Sequence, residues 1–195
     1  THTAVPGDLK GNSLTVQVGR PFYDESAVQP FTYLGGKITE WALSNSNDSN
    51  LMCTLGMDFA DEVTATALAS ATYPTGIETF SWVGGSVTIG GTAFDVTDAS
   101  VSGSNNLNTD RRYLRNNTRK KEPIGDDYRG GEFSLTADFD SLTQRARVAS
   151  ATAAGAMAAT VLRWEGKTLA GTTTYPSLTV TIQGRFDEFS ANVGG

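Results

Sequence analysis

Apolar and polar residues alternate along four well-separated stretches of the chain. Leu14, Val16 and Val18 alternate with Thr15 and Gln17, and Leu51, Cys53, Leu55, Met57 and Phe59 share one parity. Phe133, Leu135, Ala137 and Phe139 alternate with Ser134, Thr136 and Asp138. Leu178, Val180, Ile182 and Phe186 alternate with Thr179, Thr181, Gln183 and Arg185. Successive strand side chains point to opposite faces, so each run predicts a strand with one apolar and one polar face. Such strands belong to antiparallel sheets rather than to a parallel α/β sheet. Glycine pairs at Gly35-Gly36, Gly84-Gly85, Gly90-Gly91 and Gly130-Gly131 read as turns between strands. One helix is predicted near residues 141–153. Ser141 and Gln144 have capping-box spacing, and Leu142, Ala146, Ala149 and Ala153 fall on one face as a small-residue stripe. The expected class is mainly β (α+β), an antiparallel β-sandwich or split barrel with one helix, in a single domain over residues 1–195.

Between two strand patterns lies a long charged segment near 108–130. Its centre, TDRRYLRNNTRKKEPI (109–124), holds Arg111, Arg112, Arg115, Arg119, Lys120 and Lys121. From Asn108 to Arg129 seven basic residues face four acidic ones, a balance of +3. The rest of the chain has eight basic and seventeen acidic residues, a balance of −9. An acidic body with one basic arm favours self-association between complementary surfaces. It disfavours tight duplex DNA binding, because the phosphates meet the body's like charge. Tyr113, Leu114 and Ile124 place apolar groups inside this polar segment, as a surface that meets a neighbour would. The candidate subunit interface is therefore Arg111, Arg112, Tyr113, Leu114, Arg115, Arg119, Lys120, Lys121, Pro123 and Ile124. The basic positions among them are expected to be surface sites whose loss costs the fold little.

The sequence holds little material for catalysis. It has one His, His2, and one Cys, Cys53. A Ser-His-Asp triad, a His-ligated zinc site or a disulfide framework is not expected, and the chain is read as no enzyme, with no cofactor, metal or small-molecule substrate. Cys53 shares parity with Leu51 and Leu55 and is expected to be a small core residue. Asp58, Asp61, Glu62, Asp138 and Asp140 cluster at strand ends, where an acid/base pair is one reading and an acidic surface the simpler one. Trp41 and Trp82 sit in strand-like stretches and are expected in the core, although three Trp keep a carbohydrate-binding β-sandwich module open as an alternative. No apolar run approaches the ~18–20 residues of a membrane span.

Several segments taken in order resemble the major tail tube protein of long-tailed, non-contractile bacteriophages. They are THTAVPGDLKGNSLTVQVG, FTYLGGKITEWALS, SWVGGSVTIGGTAF, SVSGSNNLNTDRRYLRNNTRKKEPI and YPSLTVTIQGRFDEFSANVGG. The resemblance covers nearly the whole chain, and the D-R-x-Y…K-K-E-P-I segment is its most specific part. It implies six copies in a ring and rings stacked into a tube that guides DNA. It also implies assembly in the host cytoplasm, a place in the virion tail, and other tail proteins as partners. The acids Asp58, Asp61, Glu62, Asp138 and Asp140 then become candidates for the lumen or an acidic surface. The 108–130 segment becomes an assembly loop. Relatives of this kind extend beyond both ends seen here, so the chain is expected to be a portion of a longer protein. A secretion-system tube protein of related architecture is the remaining alternative.

Overall fold

The structure is a computed structural model and describes residues 7–73, 75, 78–114, 117–138, 142–150, 152, 157–168, 171 and 173–190. In chain order the strands are β1 (Leu14–Pro21), β2 (Val28–Ser46), β3 (Met52–Asp58), β4 (Asp61–Val63), β5 (Gly85–Ile89), β6 (Thr92–Ala93), β7 (Asp98–Ser104), β8 (Leu107–Asn108), β9 (Ile124–Gly125), β10 (Gly130–Thr136), β11 (Met157–Glu165) and β12 (Ser177–Arg185). Among the described residues one α-helix, α1, covers Thr143–Val148. The mainly-β expectation holds. Six strands form one sheet in the order β1-β2-β7-β10, with β3 and β4 also paired to β2; four form a second, β12-β11-β5-β6; and β8 pairs with β9.

The chain divides into two compact units, each assembled from three separate stretches of sequence. Unit 1 is Thr1–Ala42, Thr54–Thr75 and Ser102–Gly131; unit 2 is Leu43–Cys53, Gly76–Val101 and Glu132–Gly195. In unit 1, β1 and β2 form a long antiparallel hairpin running from Leu14↔Gly36 to Pro21↔Val28, and β4 pairs with β2 through Thr32↔Val63 and Leu34↔Asp61. Tyr33 stacks obliquely on Phe59 at 5.2 Å between ring centroids, and Ala60 is buried beneath β2. In unit 2, β11 is the central strand of the smaller sheet. Val87, Ile89, Ala158, Leu162 and Trp164 are buried along it and its neighbour β5, with Ala99 and Val101 of β7. Trp164 Nε1 donates to Asn45 Oδ1 at 3.0 Å, so the deepest indole has its one polar group satisfied. Phe133 and Phe186 meet edge to face at 5.1 Å.

Several local expectations hold. Leu178, Val180 and Ile182 lie on the more covered face of β12, as Phe133 and Leu135 do on β10. Gly90 and Gly91 have φ of 59° and 82° and join Ile89 to its partner Thr92, a two-residue turn with both positions left-handed.

Others are corrected. Gly35-Gly36 is no turn; both glycines lie inside the 19-residue β2. Gly35 has φ 66°, and a Cβ there would stand 2.9 Å from the Ala60 side chain, while one at Gly36 would stand 2.6 Å from the Phe59 ring. Close approach of a neighbouring segment, not a chain reversal, requires glycine at these positions. Gly130-Gly131 likewise opens β10. Cys53 is exposed, not core: the first half of β3 lies uncovered, with Met52 and Leu55 exposed as well. Parity says which side chains share a face; it does not say that a layer covers that face. The helix is also shorter than expected and turned the other way. Gln144, Arg147 and Val148, spaced i, i+3, i+4, face inward, while Leu142, Ala146 and Ala149 are exposed. Leu142 occupies the N-cap position without a side-chain cap, and Gln144 Oε1 has no hydrogen-bond partner. Ser141 and Ala153 lie outside the described residues. Trp82 sits in a short 3-10 turn, Trp82–Gly84, rather than a strand, and is only partly covered.

Candidate functional site

The basic segment is a loop of unit 1 with a tied base. Its entry is fixed by two asparagines after β7. Asn105 donates from its backbone to Thr39 O and from its side chain to Ile38 O, both at 2.8 Å, which fastens the corner to β2. Asn106 takes up a left-handed conformation, φ 44°, as Asn does more readily than other side chains. The strands β8 and β9 then close the loop through Leu107↔Gly125 and Asn108↔Ile124. One step further in, Lys121 N donates to Arg111 O at 3.1 Å.

The KKEP run (120–123) is tied to the rest of the unit by hydrogen bonds and ion pairs. Lys120 N donates to Ala60 O at 3.0 Å, and its ammonium pairs with Asp58 at 2.6 Å. Glu122 is the central node. Its carboxylate pairs with Lys37 at 2.5 Å and accepts the Gly11 N–H at 2.8 Å, while its carbonyl accepts a hydrogen bond from Arg111. Lys37 is 2% exposed on β2. Its ammonium donates to Leu9 O, Asn12 O and Glu122, so three donors meet three acceptors. One buried cation thereby joins the strand, the segment before β1 and the loop. Nothing in the sequence marks Lys37; its neighbours in GGKITEW (35–41) carry no signal of burial.

The hydrogen bond from Lys37 is the largest influence on Glu122. With the Gly11 N–H and the charges of Lys37 and Lys10 it holds the carboxyl below its ordinary value of 4.5. A depressed folded-state value means this interaction contributes stability above about pH 4.5 and loses it as pH falls through the folded value. Titration of the Glu122 carboxyl by NMR is therefore expected to give a midpoint below 4.5, and the E122Q substitution to remove this part of the acid sensitivity. A midpoint at or above 4.5 would contradict the geometry.

The structure places the other candidates as follows. Arg112 and Tyr113 are exposed, and Leu114 is fully so. Lys121 lies over the Tyr113 ring at 4.8 Å, a cation–π contact that stiffens this arm of the loop. Arg119 is exposed and engaged in an interaction within the chain. Ile124 is half-exposed on β9. Pro123 is buried and the Lys120 side chain is 15% exposed, so these two are not the surface sites expected of them. Arg115 lies outside the described residues. Of the acids, Asp58 is taken by Lys120, the Asp61 carboxylate accepts the Glu62 N–H at 3.0 Å, and Asp138 is exposed. Asp140 lies outside the described residues. The loop walls a cavity of about 460 Å³ whose lining includes Gly11, Gly35, Arg111, Arg119, Lys120 and Lys121. Among the described residues no helix is long and apolar enough to cross a membrane.

Residues 5–194, strands and charged loop together, match the family described as phage tail tube protein. The chain belongs to the phage tail tube family. No curated protein matches it. Tail tube proteins are structural, so membership gives the chain a structural role in the virion tail and points to a non-enzymatic protein. It also implies self-assembly and contact with other tail proteins. Trp164, buried at 3% exposure, is not available to a sugar-stacking platform.

Proposed function

We propose that the protein is the repeating subunit of a tail tube: copies close into rings, six in each, and rings stack around a lumen through which duplex DNA passes. The observation that carries this reading is uncovered surface. Large apolar side chains that a lone subunit would leave in water are what a repeating contact covers. Exposed large apolar side chains, among them Tyr23, Val83, Leu114 and Tyr128, are spread over this surface.

The loop supports the reading in two parts. Its base, tied by Lys37, Lys120 and Glu122, fixes direction. Its outer arm, with Arg112, Tyr113, Leu114 and Lys121, is what a neighbouring copy meets. A ring needs a heterologous contact whose rotation closes, and stacking needs a second that does not. The net charge of −6 suits a lumen that does not retain DNA, since few cations are offered to the phosphates. Filter binding of the assembled protein at ~0.15 M salt, where the Debye length is ~8 Å, is expected to retain no duplex. Tight retention that falls steeply with salt would contradict the lumen assignment.

A further inference from the structure

Unit 1 carries an acidic, aromatic knob and a basic hole at opposite ends of one strand. The knob is the tip of the β1–β2 hairpin, Phe22-Tyr23-Asp24-Glu25. Tyr23 is wholly exposed and Phe22 half-exposed. The tip is nonetheless well defined. Phe22 N donates to Ala27 O and Glu25 N to Phe22 O, both at 2.9 Å, and the Asp24 carboxylate accepts Ser26 N at 3.2 Å and Ser26 Oγ at 2.7 Å. Glu25 is held at φ 54°, a conformation uncommon for a side chain other than Gly, Asn or Asp. The Ser26 hydroxyl and N–H keep the Asp24 carboxyl below its ordinary value, so the tip stays charged.

The hole is the half-open hollow of about 460 Å³ beside the loop. Arg111, Arg119, Lys120 and Lys121 line it with one acid, Glu122, and Lys120 is already paired with Asp58. Gly11 and Ser13 lie on its wall immediately before β1, and Gly35 lies on it from the matching end of β2. The tip follows the other end of β1, eight residues away. At ~3.3 Å per residue the hairpin, bulged once between Leu14 and Val16, puts about 26 Å of strand between them. The tip cannot fold back into the hole of its own unit.

We propose that the Phe22–Glu25 tip of one copy docks into the basic cavity of the next, with Asp24 and Glu25 meeting Arg119 and Lys121 and Tyr23 lying against a guanidinium. The partner is a second copy of this chain, and the inference rests on the tube-subunit reading above. Knob and hole are different patches, so the contact is heterologous and repeats head to tail.

Charge reversal tests it. D24K/E25K changes only the tip and R119E/K121E only the hole; circular dichroism and thermal unfolding check each fold, and K121E alone replaces the second pair if that variant unfolds early. Each variant is expected to weaken association by at least tenfold in sedimentation. Combining the two in one chain, or mixing the two variant proteins, is expected to restore it to within a few-fold, because every tip again faces a hole of opposite charge. Association unchanged in both variants, loss without restoration, or loss in the hole variant alone would each overturn the docking while leaving the tube reading intact. A wild-type protein that never associates would instead overturn the tube reading itself.

Discussion

Replacing Lys37 with Met is expected to destabilise the protein by ~2–4 kcal/mol. Met fills much of the same space, so the loss is of charge and donors rather than volume. Removing one partner of a buried pair costs ~3–5 kcal/mol when the other charge is stranded. Here the Glu122 side chain is 43% exposed, so water recovers part of its solvation and the lower end of the range applies. The Leu9 and Asn12 carbonyls lose their donor as well. Chemical denaturation reads the total, and hydrogen exchange at Gly11, whose N–H is held by Glu122, reads the local release. The cost of K37M/E122Q should fall well short of the sum of the single costs, because both residues serve one arrangement. An unchanged denaturation midpoint and a protected Gly11 in K37M would show that the buried ammonium does not hold the loop.

Leu162→Ala is expected to have an effect as large in unit 2, ~2–5 kcal/mol. Leu162 is wholly buried at the centre of β11, paired with Val87 on one side and Val180 on the other. Neighbours on both sides are held by backbone ladders, so the hole left by the removed atoms cannot easily collapse. Thermal unfolding measures the loss. A decrease below ~1 kcal/mol would mean that this strand is not the packed centre of unit 2.

The sequence exposed what depends on local period and hid what depends on which layer lies above. Alternation located β1, β3, β10 and β12, and the Gly90-Gly91 pair marked a true turn. The same reasoning misjudged Cys53, because no parity argument shows that the first half of β3 lies bare. Gly35-Gly36 misled for a related reason: a glycine needed for close approach to Ala60 and Phe59 looks, in sequence, like a glycine needed for a turn. Close approach also requires glycine at position 103, where a Cβ would stand 2.5 Å from the Trp41 ring. In a helix of six residues, too short for its period to be decisive, the small-residue stripe pointed outward and Gln144, Arg147 and Val148 pointed inward.

At the loop, the sequence showed charge but not its partners. Seven basic residues between Asn108 and Arg129, in an otherwise acidic chain, were plain to see. That Lys120 belongs to Asp58, and that Glu122 is met from below by Lys37 across 85 residues of chain, required the fold. Lys37 carried no signal because a lysine between a glycine pair and an alternating strand has the composition of an ordinary edge position. The division within the loop therefore emerges only in three dimensions. A tied base sets its direction, and an outer arm of Arg112, Tyr113, Leu114 and Lys121 remains to meet a neighbour.

Electron microscopy of the concentrated protein tests the central claim most directly. Stacked rings around an open lumen, forming hollow tubes of uniform width, are the predicted result. Particles that remain single subunits at every concentration, or that grow into filaments with no lumen, would contradict it.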